Sequence, residues 1–587
     1  MTIEKVLIAN RGEIAVRIVR ACADAGIRSV AVYADQDADA LHVRLADEAV
    51  ALEGTRAAET YLDAAALVAA AERVGADAVH PGYGFLSEDA AFARAVLAAG
   101  LRWIGPRPET IEELGDKVRA RAVALRVGAP LAPGTDGPVA SVREVEAFVA
   151  EHGLPVVVKA AHGGGGRGMR VVRDVDEIAD AYASAVREAT QAFGRGECFV
   201  ERFLDRPRHV EAQLLADEHG TVVVVGTRDC SVQRRHQKLL EEAPAPFLTA
   251  AQHERIVAAS EAIARETGYV GAGTVEFLVA DDGTIAFLEV NARLQVEHPV
   301  TEETTGVDLV REQLRIAAGE RLTIDATPRP RGHAIELRIN AEDPGRGFLP
   351  SSGVVTTFRA PTGPGVRVDA GVDDGAAVPP QFDSLLAKLV VWGPDRATAL
   401  DRTRRALDEL RIEGVATVVP AHRAILRHPD LAGDGDGFRV HTRWVETELA
   451  PVDVDDAFAD ADPGTALRRV AIEVDGMRRT LGLPVGLLAA LATEAAPGSA
   501  AGAGAQPDAS DEPGSGAGIR SPLTGSLVTW AVAPGDAVAV GDRVATVEAM
   551  KMETPVVAEV AGVVAALRAQ AGAAVEAGML LAVVEPA

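Results

Sequence analysis

The chain opens with alternating apolar runs and helix-spaced apolar positions. Val6–Ala9 is a continuous apolar run, Asn10-Arg11-Gly12 reads as a turn, and Ile14, Ile18, Cys22 and Ala25 recur at helical spacing until Gly26. Ser29–Tyr33 is the next strand. A second unit follows, with a helix over Asp63–Val74, Gly75 as its stop and a strand through Asp77–His80. Such alternation predicts a parallel sheet wrapped by helices. The loop His80-Pro81-Gly82-Tyr83-Gly84-Phe85-Leu86-Ser87-Glu88 falls where that sheet carries functional loops, although alone it could be merely a tight turn. From about Glu112 to Gly332 a different unit holds a glycine loop and several charged motifs. His333–Glu446 has strand-like runs and a helix over Arg396–Leu410, and Val470–Gly476 carries a hairpin signal.

The C-terminal pattern is of another kind. Arg543–Val547 and Thr554–Val560 are strand-like and pair as a hairpin around Glu548-Ala549-Met550-Lys551-Met552-Glu553, with Lys551 at the tip. Gly525, Gly535 and Gly541 are spaced as Gly562, Gly572 and Gly578 are. Two similar half-units predict a flattened barrel with quasi-two-fold symmetry and glycines at its turns. Before it, Thr493–Gly518 is low-complexity Ala/Gly/Ser/Pro/Asp and reads as a flexible tether. About 25 such residues have an r.m.s. reach of roughly 25–30 Å and extend to about 80 Å at most.

A length of 587 residues implies several domains, and 48% hydrophobic with 25% charged residues is ordinary for a globular chain. No apolar stretch approaches the roughly 20 residues that span a bilayer, and Met1–Val6 shows no targeting pattern. The expectation is a cytoplasmic protein with no membrane partner. Cys22, Cys198 and Cys230 are too scattered for a disulfide framework or a zinc site. A net charge of −27 argues against nucleic acid and requires any anion site to gather cations locally.

Three motifs gather that chemistry. Val156-Val157-Val158-Lys159 precedes Gly163–Gly166, Arg167, Gly168 and Met169. Backbone N–H groups of the glycine run can close over phosphates, with Lys159 and Arg167 adding charge. No Gly-Lys-Ser/Thr follows, so this is a hairpin lid between strands rather than a Walker loop. The second motif, after the apolar strand Thr221–Gly226, gathers Arg228, Arg234, Arg235, His236 and Lys238, usually a solvated face but in so acidic a chain read as an anion pocket. The third runs from Glu276, placed at the end of one strand, to Glu289 and Asn291 on the next, an oxygen-only set suited to Mg²⁺. Arg293, Gln295 and Glu297 then alternate and share a side if extended. An arginine fork beside a carboxylate suits a small planar acid such as bicarbonate.

Lys159 with its glycine lid resembles the ATP-grasp fold, and residues 519–587 with Met550-Lys551-Met552 resemble the biotin branch of the biotinyl/lipoyl carriers. Residues 1 to about 446 resemble biotin carboxylase. The supporting matches are the His80–Glu88 loop, the glycine lid, Arg234-Arg235-His236-Gln237-Lys238, Val290–Thr301 and Ile335–Pro344. Together these resemble the α subunit of an actinobacterial acyl-CoA carboxylase of the acetyl-/propionyl-CoA type. The resemblance implies a multidomain α/β chain: residues 1–114, 115–332 (ATP-grasp) and 333–446 of the carboxylase, a 447–492 connector, the 493–518 linker and an all-β carrier over 519–587. The connector is much smaller than the subunit-contact domain of larger relatives.

The implied cofactors are biotin on Lys551, ATP and Mg²⁺ (or Mn²⁺). The implied ATP ligands are Lys117, Lys159, Gly164, Gly165, Gly166, Glu201, Leu204, His209, Gln233, His236 and Leu278, with Glu276, Glu289 and Asn291 on metal. Arg293, Gln295 and Val296 bind bicarbonate, Glu297 deprotonates it, Lys238 steadies the transferring phosphoryl and carboxyphosphate charge, and Arg338 stabilises the biotin enolate. No segment over 447–587 is long enough for acyl transfer, so a carboxyltransferase β subunit is expected, with a biotin protein ligase, in a hetero-oligomer built on α dimers or larger. 3-Methylcrotonyl-CoA is the alternative acceptor. Another ATP-grasp ligase, such as a carbamoyl-phosphate-type synthetase, is disfavoured by the carrier, and a degenerate carrier and assembly protein by the intact charged motifs. A urea or pyruvate carboxylase lacks its extra catalytic domain here.

Overall fold

The computed structural model describes residues 2–135, 137–160, 169–193, 196–433, 437–449, 467–474, 477–484, 517–550 and 552–586. It divides into two compact units, 1–341 with 351–450, and 342–350 with 451–587.

The first unit begins with strands β1 (Lys5–Ile8), β2 (Arg28–Tyr33), β3 (Glu48–Ala51), β4 (Ala78–His80) and β5 (Arg102–Trp103). They form a parallel sheet ordered β3-β2-β1-β4-β5. The order reverses beside β1, so the turn after β1 and the loop after β4 meet at the carboxyl edge. Asn10 Nδ2 joins them, donating to the carbonyls of Pro81 at 2.7 Å and Tyr83 at 2.8 Å. The helix expected over Asp63–Val74 spans Ala64–Val74, because Asp63 caps it by accepting from Ala66 N.

Three strands, β6 (Val156–Ala160), β7 (Met169–Val172) and β8 (Cys198–Arg202), pair antiparallel in the order β7-β6-β8. Gly164, Gly165 and Gly166 lie outside the described residues. The largest sheet contains β9 (Arg208–Ala216), β10 (Val222–Arg234), β11 (Gln237–Ala243), β12 (Gly271–Val279), β13 (Ile285–Asn291) and β14 (His333–Asn340). Its order is β13-β12-β9-β10-β11-β14, followed by Leu385–Gly393 and Val366–Ala370. Two expectations need correction. The apolar run Thr221–Gly226 and the charged motif as far as Arg234 share one strand, with Lys238 on the next, and Glu276 lies inside β12 rather than at its end. Pairing with β9, continuous along β12 and shifted once between Val224 and Gly226 on β10, carries both strands into their polar residues.

Helix Gly12–Asp24 packs on strand Leu385–Gly393, and there Glu13 Oε2 lies 3.1 Å from Lys388 Nζ with both side chains buried. Burial pushes the Glu13 carboxyl from 4.5 up to about 7, and Lys388 does not fully offset it. Between those values the folded chain keeps a proton that the unfolded chain has released, so stability falls as pH rises through the window. The thermal midpoint of Glu13→Gln should therefore gain on that of the wild type between about pH 5 and about pH 8. A midpoint difference that ignores pH removes Glu13 as the source.

In the second unit Leu467–Val474 and Met477–Pro484 form an antiparallel hairpin. Residues 493–516 of the linker lie outside the described residues. The carrier is two four-stranded sheets, and its first strand is Ala517–Arg520, two residues before the expected start, because it pairs with Leu580–Pro586. Ile519, Leu527, Val544, Val547, Val564, Leu581 and Val584 fill the space between the sheets. The glycine spacing has a conformational cause. Gly535, Gly541, Gly572 and Gly578 all have φ between 81° and 98°. At Gly525 and Gly562 a Cβ would stand 2.2 Å and 2.1 Å from the Glu548 and Glu585 carbonyl oxygens. Each half-unit thus needs one close approach and two left-handed turns.

Candidate functional site

Cross-strand register assembles the centre of the site. Glu289 on β13 faces Glu276 on β12, Glu276 faces Glu211 on β9, and Glu211 faces Arg228 on β10. Directly opposed residues share a sheet face, so three carboxylates line one rung and need cations. Arg228 supplies one from within the sheet. It is wholly buried and donates to Glu211 Oε1 at 2.5 Å, Gln213 Oε1 at 2.7 Å, Thr301 Oγ1 at 2.9 Å and Thr274 Oγ1 at 3.2 Å. The expected role of Arg228 in an anion pocket is therefore corrected: its donors are spent on neighbouring side chains. Arg235 and His236 also stand apart, exposed in the tight β10–β11 turn with φ of 48° and 67°.

Lys238 supplies the second cation. Its Nζ donates to Glu211 Oε2 at 2.8 Å, Glu276 Oε1 at 3.1 Å and Glu297 Oε1. At ~3 Å and an effective dielectric of about 20, each such pair is worth about 5 kcal/mol before desolvation, enough to offset the several kcal/mol of burying an ammonium. Burial alone would lower the Lys238 pKa, but its acidic surroundings hold it well above the ordinary value. Arg338 is the third cation, donating from Nε to Glu241 Oε1 at 2.6 Å and from Nη2 to Glu297 Oε2 at 2.9 Å. Four carboxylates (Glu211, Glu276, Glu297, Glu241) thus face three fixed cations. His209 Nε2, 3.0 Å from Glu276 Oε2, is drawn toward a charged form: burial lowers its pKa, but Glu276 outweighs burial.

Glu297 is the focus of this cluster. Burial raises its pKa, yet Lys238, then Arg338 and Arg228, hold it well below the usual carboxylate range. Glu276 is also depressed, its burial outweighed by Lys238 and His209. Glu241, whose burial Arg338 only partly offsets, is pushed up to about 7.

Residues 292–297 lie in neither helix nor strand, so the alternation of Arg293, Gln295 and Glu297 is not that of an extended strand. Hydrogen bonds bring them together instead. Arg293 Nη1 donates to Gln295 Oε1 at 2.8 Å, Nη2 to Asn291 Oδ1 at 3.1 Å, and Gln295 Nε2 to Glu276 Oε1 at 3.0 Å. Asn291 Nδ2 also reaches Glu276 Oε1, at 2.8 Å. Glu88, from the loop after β4, accepts from Arg293 Nε at 2.8 Å and Ala292 N at 3.1 Å. That loop therefore does reach the chemistry.

The remaining expected ligands occupy separate places. Lys159 on β6 is ion-paired with Glu201 on β8, which also meets Arg121 at 3.0 Å. Lys117 opens helix Lys117–Arg126 and lies 3.5 Å from Glu289 Oε2, joining it to the metal set. Leu204 and Gln233 are buried, and Leu278 is opposite His209 across β12 and β9. The Val296 carbonyl accepts from Lys388 Nζ at 2.9 Å. Glu276, Glu289 and Asn291, two opposed carboxylates and an amide on adjacent strands, fit a hard cation by donor type.

Sequence reasoning missed Glu211 and Glu88. The alternation His209, Glu211, Gln213 along an otherwise apolar strand was the available signal for Glu211. Lys551 itself lies outside the described residues. Its flanks do not: Ala549 pairs with Met552, so the strand pairing runs closer to the tip than Val547 and Thr554 suggested. Met550 has φ 49° and a buried side chain.

A family model described as the biotin carboxylase N-terminal domain matches residues 2–111, and its C-terminal counterpart matches residues 336–447. The ATP binding domain of the carbamoyl-phosphate synthase L chain matches residues 116–325, and a biotin-requiring enzyme model matches residues 517–584. The biotin-dependent acyl-coenzyme A carboxylase alpha3 subunit of Mycobacterium leprae is 56% identical over 99% of this chain and 98% of its own. The biotin carboxylase of a Nostoc species is 49% identical over 73% of this chain and 96% of its own. The biotin carboxylase domain dimer of Hydrogenobacter thermophilus 2-oxoglutarate carboxylase was solved with MgADP, ADP and bicarbonate. It is 45% identical, with TM-score 0.70, over 78% of this chain and 100% of that one.

Proposed function

As the chain belongs to the family of biotin-dependent acyl-coenzyme A carboxylase α subunits, we propose that it carboxylates biotin carried on its own Lys551 and that a separate carboxyltransferase β subunit passes the carboxyl group to acetyl- or propionyl-coenzyme A. The chain is an ATP-dependent biotin carboxylase. The observation that carries the mechanistic reading is the convergence of Lys238 and Arg338 on the carboxylate of Glu297, with Arg293 and Gln295 tied to the neighbouring Glu276 rung.

In this reading Lys117, Lys159, Glu201, Leu204, His209, Gln233, His236 and Leu278 hold ATP, with Gly164–Gly166 as its lid. Glu276, Glu289 and Asn291 take the Mg²⁺ that neutralises phosphate charge. Arg293, Gln295 and the Val296 N–H hold bicarbonate, and Glu297 removes its proton so that an oxygen can attack the γ-phosphate, giving carboxyphosphate and ADP. A carboxylate held this far below its usual range is a weak base. Lys238 is the largest of the three cationic causes. Once Lys238 turns to the phosphoryl charge, Glu297 loses that hold and becomes the stronger base when bicarbonate must be activated. Biotin on the carrier would supply a ureido nitrogen that, on losing its proton, takes the carboxyl group from carboxyphosphate with release of inorganic phosphate. Arg338, fixed by Glu241 and Glu297, brings its guanidinium charge to stabilise negative charge at that place.

The division into residues 1–114, 115–332, 333–446, 447–492, 493–518 and a terminal carrier belongs to the same proposal, as do the cytoplasm as its location and α dimers or larger within a hetero-oligomer. The three cysteines are free and buried, and among the described residues no helix is long and apolar enough to cross a membrane. The carrier must travel between two active sites on its tether. Halving Thr493–Gly518 should therefore impair overall acyl-coenzyme A carboxylation, assayed with the co-purifying β subunit, several-fold more than ATP hydrolysis coupled to biotin carboxylation. Equal losses in both would count against shuttling, and co-purification with no carboxyltransferase would sink the two-subunit reading.

A further inference from the structure

Residues 292–297 carry the proposed bicarbonate groups on backbone that no sheet or helix holds. Three successive carbonyls in this segment are instead each tied by a side chain. Leu294 accepts from Arg293 Nη1 at 3.2 Å, Gln295 from His298 Nδ1 at 2.8 Å beside a longer main-chain bond from His298 N at 3.4 Å, and Val296 from Lys388 Nζ at 2.9 Å. A carbonyl only accepts, so His298 carries its proton on Nδ1. The peptide group is planar and trans, with each N–H directed opposite to the preceding C=O. Holding the Gln295 carbonyl therefore sets the direction of the Val296 N–H, and holding the Val296 carbonyl sets that of the Glu297 N–H.

We propose that His298 and Lys388 are positioning residues for bicarbonate: they orient the two successive amides of the acid-binding segment without touching the substrate. Both side chains are wholly buried. His298 belongs to helix His298–Thr305, so its ring moves with the element that Glu297 caps. Lys388 comes from the sheet, where Arg338 is its neighbour on β14, and is backed by Glu13 at 3.1 Å and the Tyr83 ring at 5.9 Å. A buried ammonium is costly unless paired. Here one donates to a main-chain carbonyl next to the proposed base, which gives that peptide a fixed direction from outside its own segment. Tyr83 and Glu13 also link this clamp to the two loops at the carboxyl edge of the parallel sheet.

The inference rests on the assignment of bicarbonate to Arg293, Gln295 and Val296, and its test separates the two. Steady-state kinetics on the full-length biotinylated chain are measured for His298→Leu, His298→Asn, the double variant Glu13→Gln/Lys388→Met, and Arg293→Ala. Losing one oriented N–H contact should raise the KM for bicarbonate about tenfold in His298→Leu and in the double variant, with the KM for ATP within about twofold. His298→Asn, whose amide can donate from nearly the position of Nδ1, should recover most of the loss. The double variant removes both buried charges together, so it remains informative should His298→Leu fail to fold. An unchanged bicarbonate KM in the folded variants, an equal loss for both substrates, or no recovery in His298→Asn overturns the positioning role. Arg293→Ala distinguishes the levels. If it too leaves the bicarbonate KM unchanged, the assignment of the site has failed, whereas a rise there alone means that only the clamp has.

Discussion

Lys551→Arg should yield a folded chain that gains no cofactor mass when expressed with a biotin protein ligase, while the wild type gains biotin at that residue. Attachment requires an amine that can lose its proton and attack an acyl group, and a guanidinium, with pKa above about 12, does not do so. The surrounding hairpin explains why this one lysine is presented. Ala549 and Met552 are paired, so the strand pairing reaches its flanks. Met550, just before it, is buried with φ 49°. Overall acyl-coenzyme A carboxylation by the variant should fall to background, whereas bicarbonate-dependent ATP hydrolysis with free biotin should persist. Intact-protein mass spectrometry is the decisive measurement. A wild-type chain whose residue 551 stays a free amine would remove the basis of the proposed function.

The second large effect is expected at Lys238 and Arg338. Lys238→Gln leaves Glu211, Glu276 and Glu297 with one fewer cation among them, and Arg338→Gln leaves Glu241 and Glu297 likewise. Removing one preorganised charge from such a site costs on the order of 10²–10³ in turnover. Folding should survive, because the side chains of Lys238 and Arg338 keep 12% and 14% of their exposure, and the carboxylates left behind keep a second cationic neighbour (Arg228 at Glu211, His209 at Glu276, Arg338 or Lys238 at Glu297) or, at Glu241, take up a proton. Arg228 differs on this point, being wholly buried. Near-normal bicarbonate-dependent ATP hydrolysis with free biotin in either variant would refute these roles, and loss of the native circular dichroism spectrum would assign both residues to stability instead.

Much of this chemistry was legible because it is local in sequence. Glu276, Glu289 and Asn291 lie on consecutive strands, and Arg293 to Glu297 follow within one short segment. The carrier was equally legible. Its repeated glycines occupy left-handed turns and close approaches that other residues fit poorly, so backbone geometry leaves a mark on the sequence. Burial and pairing of charges left no such mark. Arg228 and Lys238 look alike along the chain, yet one is enclosed by Glu211, Gln213, Thr274 and Thr301 while the other joins the three carboxylates Glu211, Glu276 and Glu297.

By itself, then, the amino-acid order determined the strand and helix alternation, the duplicated carrier and the set of chemically capable side chains, since each depends on periodicity, turn stereochemistry or residue type over a few neighbouring positions. Only the tertiary structure decided which charges meet. Glu88 and Arg293, Lys238 and Glu297, and Lys388 and Val296 are far apart along the chain. Their pairing depends on strand order and register, and those are set by how the whole sheet buries its apolar faces.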